Sequence, residues 1–165
     1  MTGGAVLDKA ALKAELVAQL AAALEAAERA HAAALEAATH TEARAENAKD
    51  TRGLEQSYLA RGQAQRVSEL AAGLAAVTAL AVRGFGPADP IALGALVTVE
   101  EDGDEAQLFV APYGGGSVLA GGTQSVQVVT PGSPLGRALL GKRVEDDVEV
   151  RLPGRLRTLA VVAIA

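Results

Sequence analysis

The chain has 165 residues, half of them apolar, yet it contains only two Phe, two Tyr and no Trp. Its core is therefore aliphatic and modest in size, since much of the apolar content is alanine. The net charge of −5 argues against a protein that grips free nucleic acid by its phosphates, which requires clustered Lys and Arg. The lack of Cys excludes disulfides and thiolate metal sites.

No targeting or membrane segment is predicted. Residues 1–9 lack a basic stretch followed by an apolar core, so they do not form a signal peptide. No apolar run approaches the ~18 residues that a membrane helix needs. We therefore expect a soluble, cytoplasmic protein that does not contact a membrane.

Proline divides the chain into two parts. All six prolines follow residue 86, and thirteen of the eighteen glycines follow residue 83. The first part thus lacks the strongest helix breaker, while the second is punctuated like a turn-rich β domain. We predict an N-terminal helical domain over residues 1–83, a linker over 84–90 and a C-terminal domain over 91–165.

Two long helices are predicted in the first part, the first of them from Leu7 and Asp8 to about residue 44. Apolar residues recur three or four positions apart, and alanine, the best helix former, fills most other positions. Two such seams joined by a polar bend are typical of an antiparallel coiled-coil hairpin. The predicted seam residues are Leu12, Leu16, Leu20, Leu24, Ala27, His31 and Leu35, then Leu54, Tyr58, Val67, Leu70, Leu74, Val77 and Ala81.

The bend between the helices, near residues 40–52, is much denser in charge than the helices themselves. Glu42, Glu46 and Asp50 recur at intervals of four, so on a helical backbone they share one face. One interpretation is a solvated helix face. The other is an acidic tip that the protein inserts into another molecule. His31 and His40 have no second His at metal-ligand spacing, so no transition-metal site is predicted.

The second part alternates strands and turns, with one short helix that Pro134 opens and Gly141 ends. Together with the hairpin, this predicts an α+β protein whose C-terminal domain is a small, curved antiparallel sheet carrying one helix. Leu135, Leu139 and Leu140 are expected to pack on that sheet, and Phe109 is expected in the core. The predicted strands cover residues 95–100, 107–111, 118–120, 125–129, 148–152 and 156–164.

Two stretches together resemble the Gre family of bacterial transcript cleavage factors. The run Ser133–Lys142, followed by Val144 and the strand Asp147–Arg151, is similar to the signature of that family's FKBP-like C-terminal domain. The tripeptide Glu46–Ala48 is similar to the Glu-Asn-Ala core of its coiled-coil tip. The order and separation of the two stretches also agree, and the resemblance covers nearly the whole chain.

The resemblance implies a transcription elongation factor and not an enzyme in its own right. In the family, the C-terminal domain docks on RNA polymerase and the coiled coil enters the polymerase's secondary channel. The tip there assists Mg²⁺-dependent cleavage of backtracked RNA. The docking positions that this implies for the present chain are Ser133, Pro134, Leu135, Gly136 and Arg137, of which Ser133 and Arg137 are expected to face the partner.

At the tip, the resemblance implies that Glu46, assisted by Glu42 or Asp50, is the catalytic carboxylate. Glu46 and Glu42 would hold a Mg²⁺ shared with the polymerase, and the chain would have no cofactor of its own. Its partners would be RNA polymerase and, within that complex only, the 3′ end of the nascent RNA. The factor itself is expected to be a monomer. The residues implied to shape the tip are Arg44, Asn47, Ala48 and Lys49.

The tip departs from the family pattern in two places. Where the family has an Asp three residues before the Glu, this chain has Ala43, with Glu42 one residue earlier. A shift of one residue turns a helical side chain by about 100°. The acidic-Tyr pair that follows in the family is replaced by Lys49–Asp50. Two functions therefore stay open, a cleavage factor and a non-cleaving secondary-channel regulator that competes with Gre factors.

A peptidyl-prolyl isomerase is a third hypothesis, suggested by the FKBP-like fold. Isomerase sites of that fold are lined by aromatic side chains. The chain after residue 83 offers only Phe85, Phe109 and Tyr113. This scarcity argues against the isomerase.

Overall fold

The computed structural model describes the backbone of residues 6–44 and 51–165, and the side chains of residues 6–40 and 52–165. The chain forms two compact units. Of the described residues, 6–17 and 76–165 form one unit, and 18–44 and 51–75 form the other.

Two long helices make up the N-terminal part, α1 over Lys9–Arg44 and α2 over Thr51–Ala79. Asp8 caps α1, because its carboxylate accepts a hydrogen bond of 2.9 Å from the backbone N–H of Ala10. None of the described helices is long and apolar enough to serve as a membrane span.

The buried positions of the helices follow a heptad pattern. In α1, Leu20, Ala27 and Ala34 are seven residues apart, with Ala38 four residues further on. In α2, Leu70 and Val77 are also seven apart, while Val67 and Leu74 of the predicted seam are half-buried. The spacing is that of a coiled-coil seam, and small alanines occupy much of it.

The predicted seam is wrong at several positions. Leu35, Leu54 and Tyr58 leave 48%, 59% and 60% of their surface exposed. Ala60 is the residue buried near the start of α2. Because successive side chains on a helix are rotated by about 100°, Leu54 and Tyr58 project from a different face than Ala60. Ala81 lies beyond the end of α2 and is exposed. The prediction took large apolar side chains as the sign of the seam. Alanine fits both a seam and an exposed surface, so the buried alanine positions were not distinguished from exposed ones.

The C-terminal part forms a six-stranded sheet in the order β3-β4-β2-β1-β6-β5. The prediction of an antiparallel sheet holds for four strand pairs, but β2 and β4 are parallel. The sheet is therefore mixed. Its elements are β1 (Leu96–Glu101), β2 (Asp104–Val110), β3 (Val118–Gly121), β4 (Gln124–Val129), α3 (Pro134–Leu139), β5 (Asp147–Leu152) and β6 (Arg155–Ile164).

Two tight turns join the hairpins where the sequence predicts them. Asp102 and Gly103 both have positive φ, of 55° and 89°, which is the backbone of a type I′ turn between β1 and β2. Gly154 at φ 70° turns the chain between β5 and β6. At both glycines a side chain would strain the left-handed backbone.

One face of the sheet carries α3 and the aliphatic core of the domain. Val97, Val99, Leu108 and Val150 are buried there with Leu139 of α3. Leu135 and Leu140 pack against this cluster, as expected. Phe109, on the strand beside Leu108, is fully buried, which confirms its placement in the core.

The start of α1 packs on the same compact unit. A Cβ at Gly121 would lie 2.9 Å from Leu7, and one at Gly114 would lie 2.9 Å from Leu16. The Glu15 carboxylate accepts hydrogen bonds of 2.9 and 3.1 Å from the backbone N–H of Ala120 on the edge strand β3. This contact satisfies a donor that would otherwise be open to another strand.

Candidate functional site

The acidic tip lies outside the residues whose side chains are described. Glu42, Ala43 and Arg44 belong to the last turn of α1, but only their backbone is described. The other tip residues, Glu46, Asn47, Ala48, Lys49 and Asp50, lie outside the described residues. Their roles therefore stay predictions.

Ser133, the first predicted docking residue, caps the helix α3. Its hydroxyl oxygen accepts a 3.0 Å hydrogen bond from the backbone N–H of Gly136, and the hydroxyl donates a 2.9 Å bond to the carbonyl of Thr130. Both hydrogen-bonding functions of the side chain are thus used within the domain. The structure assigns Ser133 a capping role, which stabilises a helix start by about 1 kcal/mol.

Gly136 is a residue that packing requires. A Cβ added there would lie 1.8 Å from the carbonyl oxygen of Thr130, so any larger residue would displace the loop before α3. Gly136 is also buried. Its place in the motif therefore follows from the close approach of two backbone segments.

Pro134 and Arg137 are the two predicted docking residues that face solvent. Pro134 occupies the first turn of α3, where its missing N–H costs nothing. Arg137 is held in place, because one guanidinium nitrogen donates a 2.6 Å hydrogen bond to the carbonyl of Gly132. Leu135 is half-buried against the core. The motif thus presents one proline ring and one oriented cation.

A groove runs beside the start of α3. It has a volume of about 510 Å³, and Ser133, Pro134 and Leu135 line one side, with Val150 and Leu152 of β5 also in its wall. A second depression of about 290 Å³ shares three lining residues with the groove. These shared residues are Gln127, Leu135 and Arg157.

Arg157 and Glu101 form a bidentate ion pair at the boundary between the two depressions. The Arg157 Nε lies 3.0 Å from one Glu101 oxygen, and its terminal nitrogen lies 2.5 Å from the other. The side chains are only 30% and 23% exposed. The hydrogen bond from Arg157 lowers the pKa of Glu101 below its usual value, and the same bond raises the pKa of Arg157.

This pair was not predicted from the sequence. The two residues are 56 positions apart, and β1 pairs with β6 through a register shift between Thr98 and Val99. Opposite charges on two paired strands could have predicted this ion pair. However, neither the pairing of β1 with β6 nor the register shift between them can be predicted from local sequence.

The groove does not have the lining of a prolyl isomerase site. Neither depression is lined by an aromatic side chain. Phe109 is fully buried, and the ring of Phe85 is covered by Lys9 and Arg83, whose charged atoms lie 4.9 and 3.9 Å from its centroid. The geometry therefore gives the isomerase hypothesis no support.

Among the residues whose side chains are described, no group of three or more His, Asp or Glu is placed to hold a metal ion. His40 is exposed, and its Nε2 lies 3.7 Å from a carboxylate oxygen of Glu36 on the same helix. His31 is half-buried on α1, in agreement with its prediction at or beside the seam.

Comparisons with known proteins agree with the resemblance in the C-terminal domain. Residues 86–165 match the family model described as transcription elongation factor, GreA/GreB, C-terminal. A search of proteins with curated functions finds none that matches the chain.

Several solved structures are similar to this chain at low identity. GreA factor homolog 1 of Thermus thermophilus is 21% identical, with a TM-score of 0.37 over 90% of this chain and 94% of that one. The Thermus aquaticus protein Gfh1 is 24% identical, with a TM-score of 0.40 over 88% and 91%. The GreA/GreB factor of Nitrosomonas europaea is 20% identical, with a TM-score of 0.37 over 80% and 93%.

The family model supports the identification, because it matches the part of the chain that forms the sheet, α3 and the groove. Residues 86–165 of this chain thus match the C-terminal domain of the GreA/GreB transcription elongation factors.

Proposed function

We propose that the chain is a cytoplasmic elongation factor that binds RNA polymerase through its C-terminal domain and delivers an acidic tip to the polymerase's active site through the secondary channel. The family match over residues 86–165 is the observation that carries the proposal. The two helices α1 and α2, which flank the acidic residues, supply the arm that the proposal needs.

Docking is assigned to the exposed part of the α3 motif and the groove beside it. Pro134 lines a groove whose wall also holds aliphatic side chains of β4 and β5, and the guanidinium of Arg137 is bonded to the carbonyl of Gly132, another residue of that wall. An apolar anchor beside an arginine is a frequent composition at the centre of protein interfaces. Gly136 is buried and supports this surface from inside the domain, while Ser133 lines the groove with its hydroxyl already bonded to Thr130 and Gly136.

Catalysis is assigned to Glu46, with Glu42 or Asp50 as a second carboxylate. Mg²⁺ prefers hard oxygen ligands, and it is commonly held by one or two carboxylates together with waters and phosphates. A second Mg²⁺ at a phosphodiester activates the attacking water and stabilises the leaving oxygen. The chain thus completes a site that belongs to the polymerase.

The test is RNA cleavage in a stalled, backtracked elongation complex. Wild-type protein should accelerate release of short 3′ RNA fragments, and Glu46→Gln should remove most of that acceleration while leaving polymerase binding unchanged. Glu28→Gln, which changes an exposed carboxylate in the middle of α1, serves as the matched control and should behave like wild type. No acceleration by saturating wild-type protein would end the cleavage proposal.

A second function, regulation without cleavage, is motivated by Ala43 in place of the family's Asp. In that case the chain would compete with an authentic Gre factor for polymerase and release no RNA itself. Ala43→Asp should then create cleavage activity. If wild-type protein neither cleaves nor competes, both functions are wrong.

A further inference from the structure

The large apolar side chains that stay exposed on the two helices lie at one end of them. Within residues 9–40 and 52–79 they are Leu35, Leu54, Tyr58 and Leu59. Three of these lie in the first three turns of α2, and Leu35 lies nine residues before the end of α1. The outward positions elsewhere in the described helices carry alanine, glycine or polar residues.

Leu54 and Tyr58 form a continuous surface with Arg61. At 100° per residue, the three side chains project about 120°, 160° and 100° away from the direction of the buried Ala60. The spacing of four and three residues places them next to one another. The Arg61 guanidinium carbon lies 5.5 Å from the centroid of the Tyr58 ring, within range of a cation–π contact. We name these three residues the tip-proximal patch.

Single exposed apolar residues are ordinary on a protein surface. The tip-proximal patch differs because Leu54 and Tyr58 are adjacent, each is more than half exposed, and a cation covers the ring. Tyrosine and arginine are among the side chains enriched at the energetic centres of interfaces. The patch therefore has the composition of a contact surface.

We propose that the tip-proximal patch contacts the wall of the RNA polymerase channel when the tip is inserted, an inference that rests on the proposed function. A helix rises about 1.5 Å per residue, so Leu54 and Tyr58 lie roughly 5 and 10 Å along α2 from its first residue, Thr51. Of the tip carboxylates, Asp50 directly precedes Thr51 and Glu46 lies five residues before it. A channel that encloses those carboxylates must also enclose the first two turns of α2.

The chemistry of the patch defines the surface that it fits. Leu54 and Tyr58 require an apolar depression, and Arg61 requires an acceptor such as a carboxylate or carbonyl at its margin. The phenol oxygen of Tyr58 can also bond to a polar rim. The surface that contacts the tip-proximal patch is thus part of a folded protein, and RNA is not needed for this contact.

The experiment compares two double variants of the full chain. Leu54→Gln with Tyr58→Gln removes the patch while keeping good helix formers. Ala72→Gln with Ala76→Gln is the matched control, because these exposed residues lie eighteen positions, or about five turns, further along the same face of α2. Affinity for a stalled elongation complex is measured by competition against a fluorescently labelled wild-type protein. We expect the patch variant to bind about tenfold or more weakly, and the control to bind within about twofold of wild type.

Photo-crosslinking provides a second readout that does not depend on a loss of affinity. A benzophenone amino acid at Tyr58 should crosslink to a polymerase subunit, while the same group at Ala76 should not. Circular dichroism of each variant confirms that the helix content is unchanged.

The outcomes separate the two proposals. If wild-type protein fails to bind polymerase, the proposed function and the patch contact are both wrong. If wild type, control and patch variant bind equally and Tyr58 gives no crosslink, only the patch contact is wrong. If sedimentation shows that wild type self-associates and the patch variant does not, the patch joins two copies of this chain and the inference is overturned.

Discussion

Among single residues, Arg157 and Glu101 form an ion pair that joins β6 to β1. Arg157 contributes to the walls of both depressions, and Glu101 holds its guanidinium by two hydrogen bonds. The geometry is that of a bidentate fork, which orients a guanidinium more firmly than a single contact does. The shape of this part of the domain surface thus depends on a carboxylate that stays ionised.

The pair predicts a pH dependence of stability. The bond from Arg157 lowers the pKa of Glu101 below its ordinary value of 4.5, so the folded state binds this proton less readily than the unfolded state. The stabilisation is therefore fully present above pH 4.5 and is lost as the pH falls through the lower, folded-state pKa. Glu101→Gln should be less stable than wild type at pH 7, and the difference should shrink below pH 4.5.

Thermal unfolding of both proteins across this pH range measures the effect. Glu100→Gln, on the same strand but exposed, is the control and should follow wild type closely at pH 7. A stability difference between Glu101→Gln and wild type that persists unchanged into strong acid would show that the ionised pair is not its cause.

Among the elements, two glycines within helices should respond in opposite ways to the same substitution. Gly62 lies inside α2 with no atom within 4 Å of an added Cβ, so Gly62→Ala should stabilise the protein by about 0.5–1 kcal/mol through helix propensity. At Gly136 in α3 the Cβ would strike the Thr130 carbonyl, so Gly136→Ala should destabilise it by more than about 2 kcal/mol.

Chemical denaturation monitored by far-ultraviolet circular dichroism measures both changes, and each variant serves as the control for the other. If both substitutions stabilise the protein, the close approach of α3 to Thr130 is wrong. If both destabilise it, the space around Gly62 is filled by other atoms of the folded protein, and the open surface of α2 at this position is wrong.

Local chemistry explains which elements could be predicted from the sequence. Pro134 and Gly141 punctuate α3, and Asp102–Gly103 is a turn signal that acts within four residues. The parallel pairing of β2 with β4 could not be predicted, because nothing local distinguishes it from another antiparallel pair. In the helices, periodicity identified the Leu70 and Val77 seam but misplaced Tyr58, since alanine lines both the seam and the surface there.

The candidate site, too, could be predicted from the sequence only in part. The α3 motif could be found from sequence, but which of its residues are free to contact a partner could not. Ser133 was expected to face outward, and the structure uses its hydroxyl for a cap and a bond to Thr130. Side-chain polarity does not reveal whether a group is already bonded within the fold. Arg157 and Glu101 were missed because their contact depends on strand register.

For the molecule as a whole, the charge balance predicts that the chain cannot cleave RNA on its own. Its net charge of −5 repels the RNA backbone, and phosphate binding calls for clustered cations. A Mg²⁺ held by one or two carboxylates needs further oxygens from a substrate that is already held in place. Incubation of the protein with Mg²⁺ and single-stranded RNA should therefore give no product on a sequencing gel, even at high protein concentration.

Adding a backtracked polymerase complex to the same mixture is the positive arm of this experiment. If the chain is a cleavage factor, 3′ fragments should appear only in that arm and should disappear when EDTA removes the metal. Fragments formed without polymerase, and absent from an identical preparation of Glu46→Gln, would mean that the tip carries a complete nuclease site. The family match of residues 86–165 would then describe the C-terminal domain and not the chemistry of the tip.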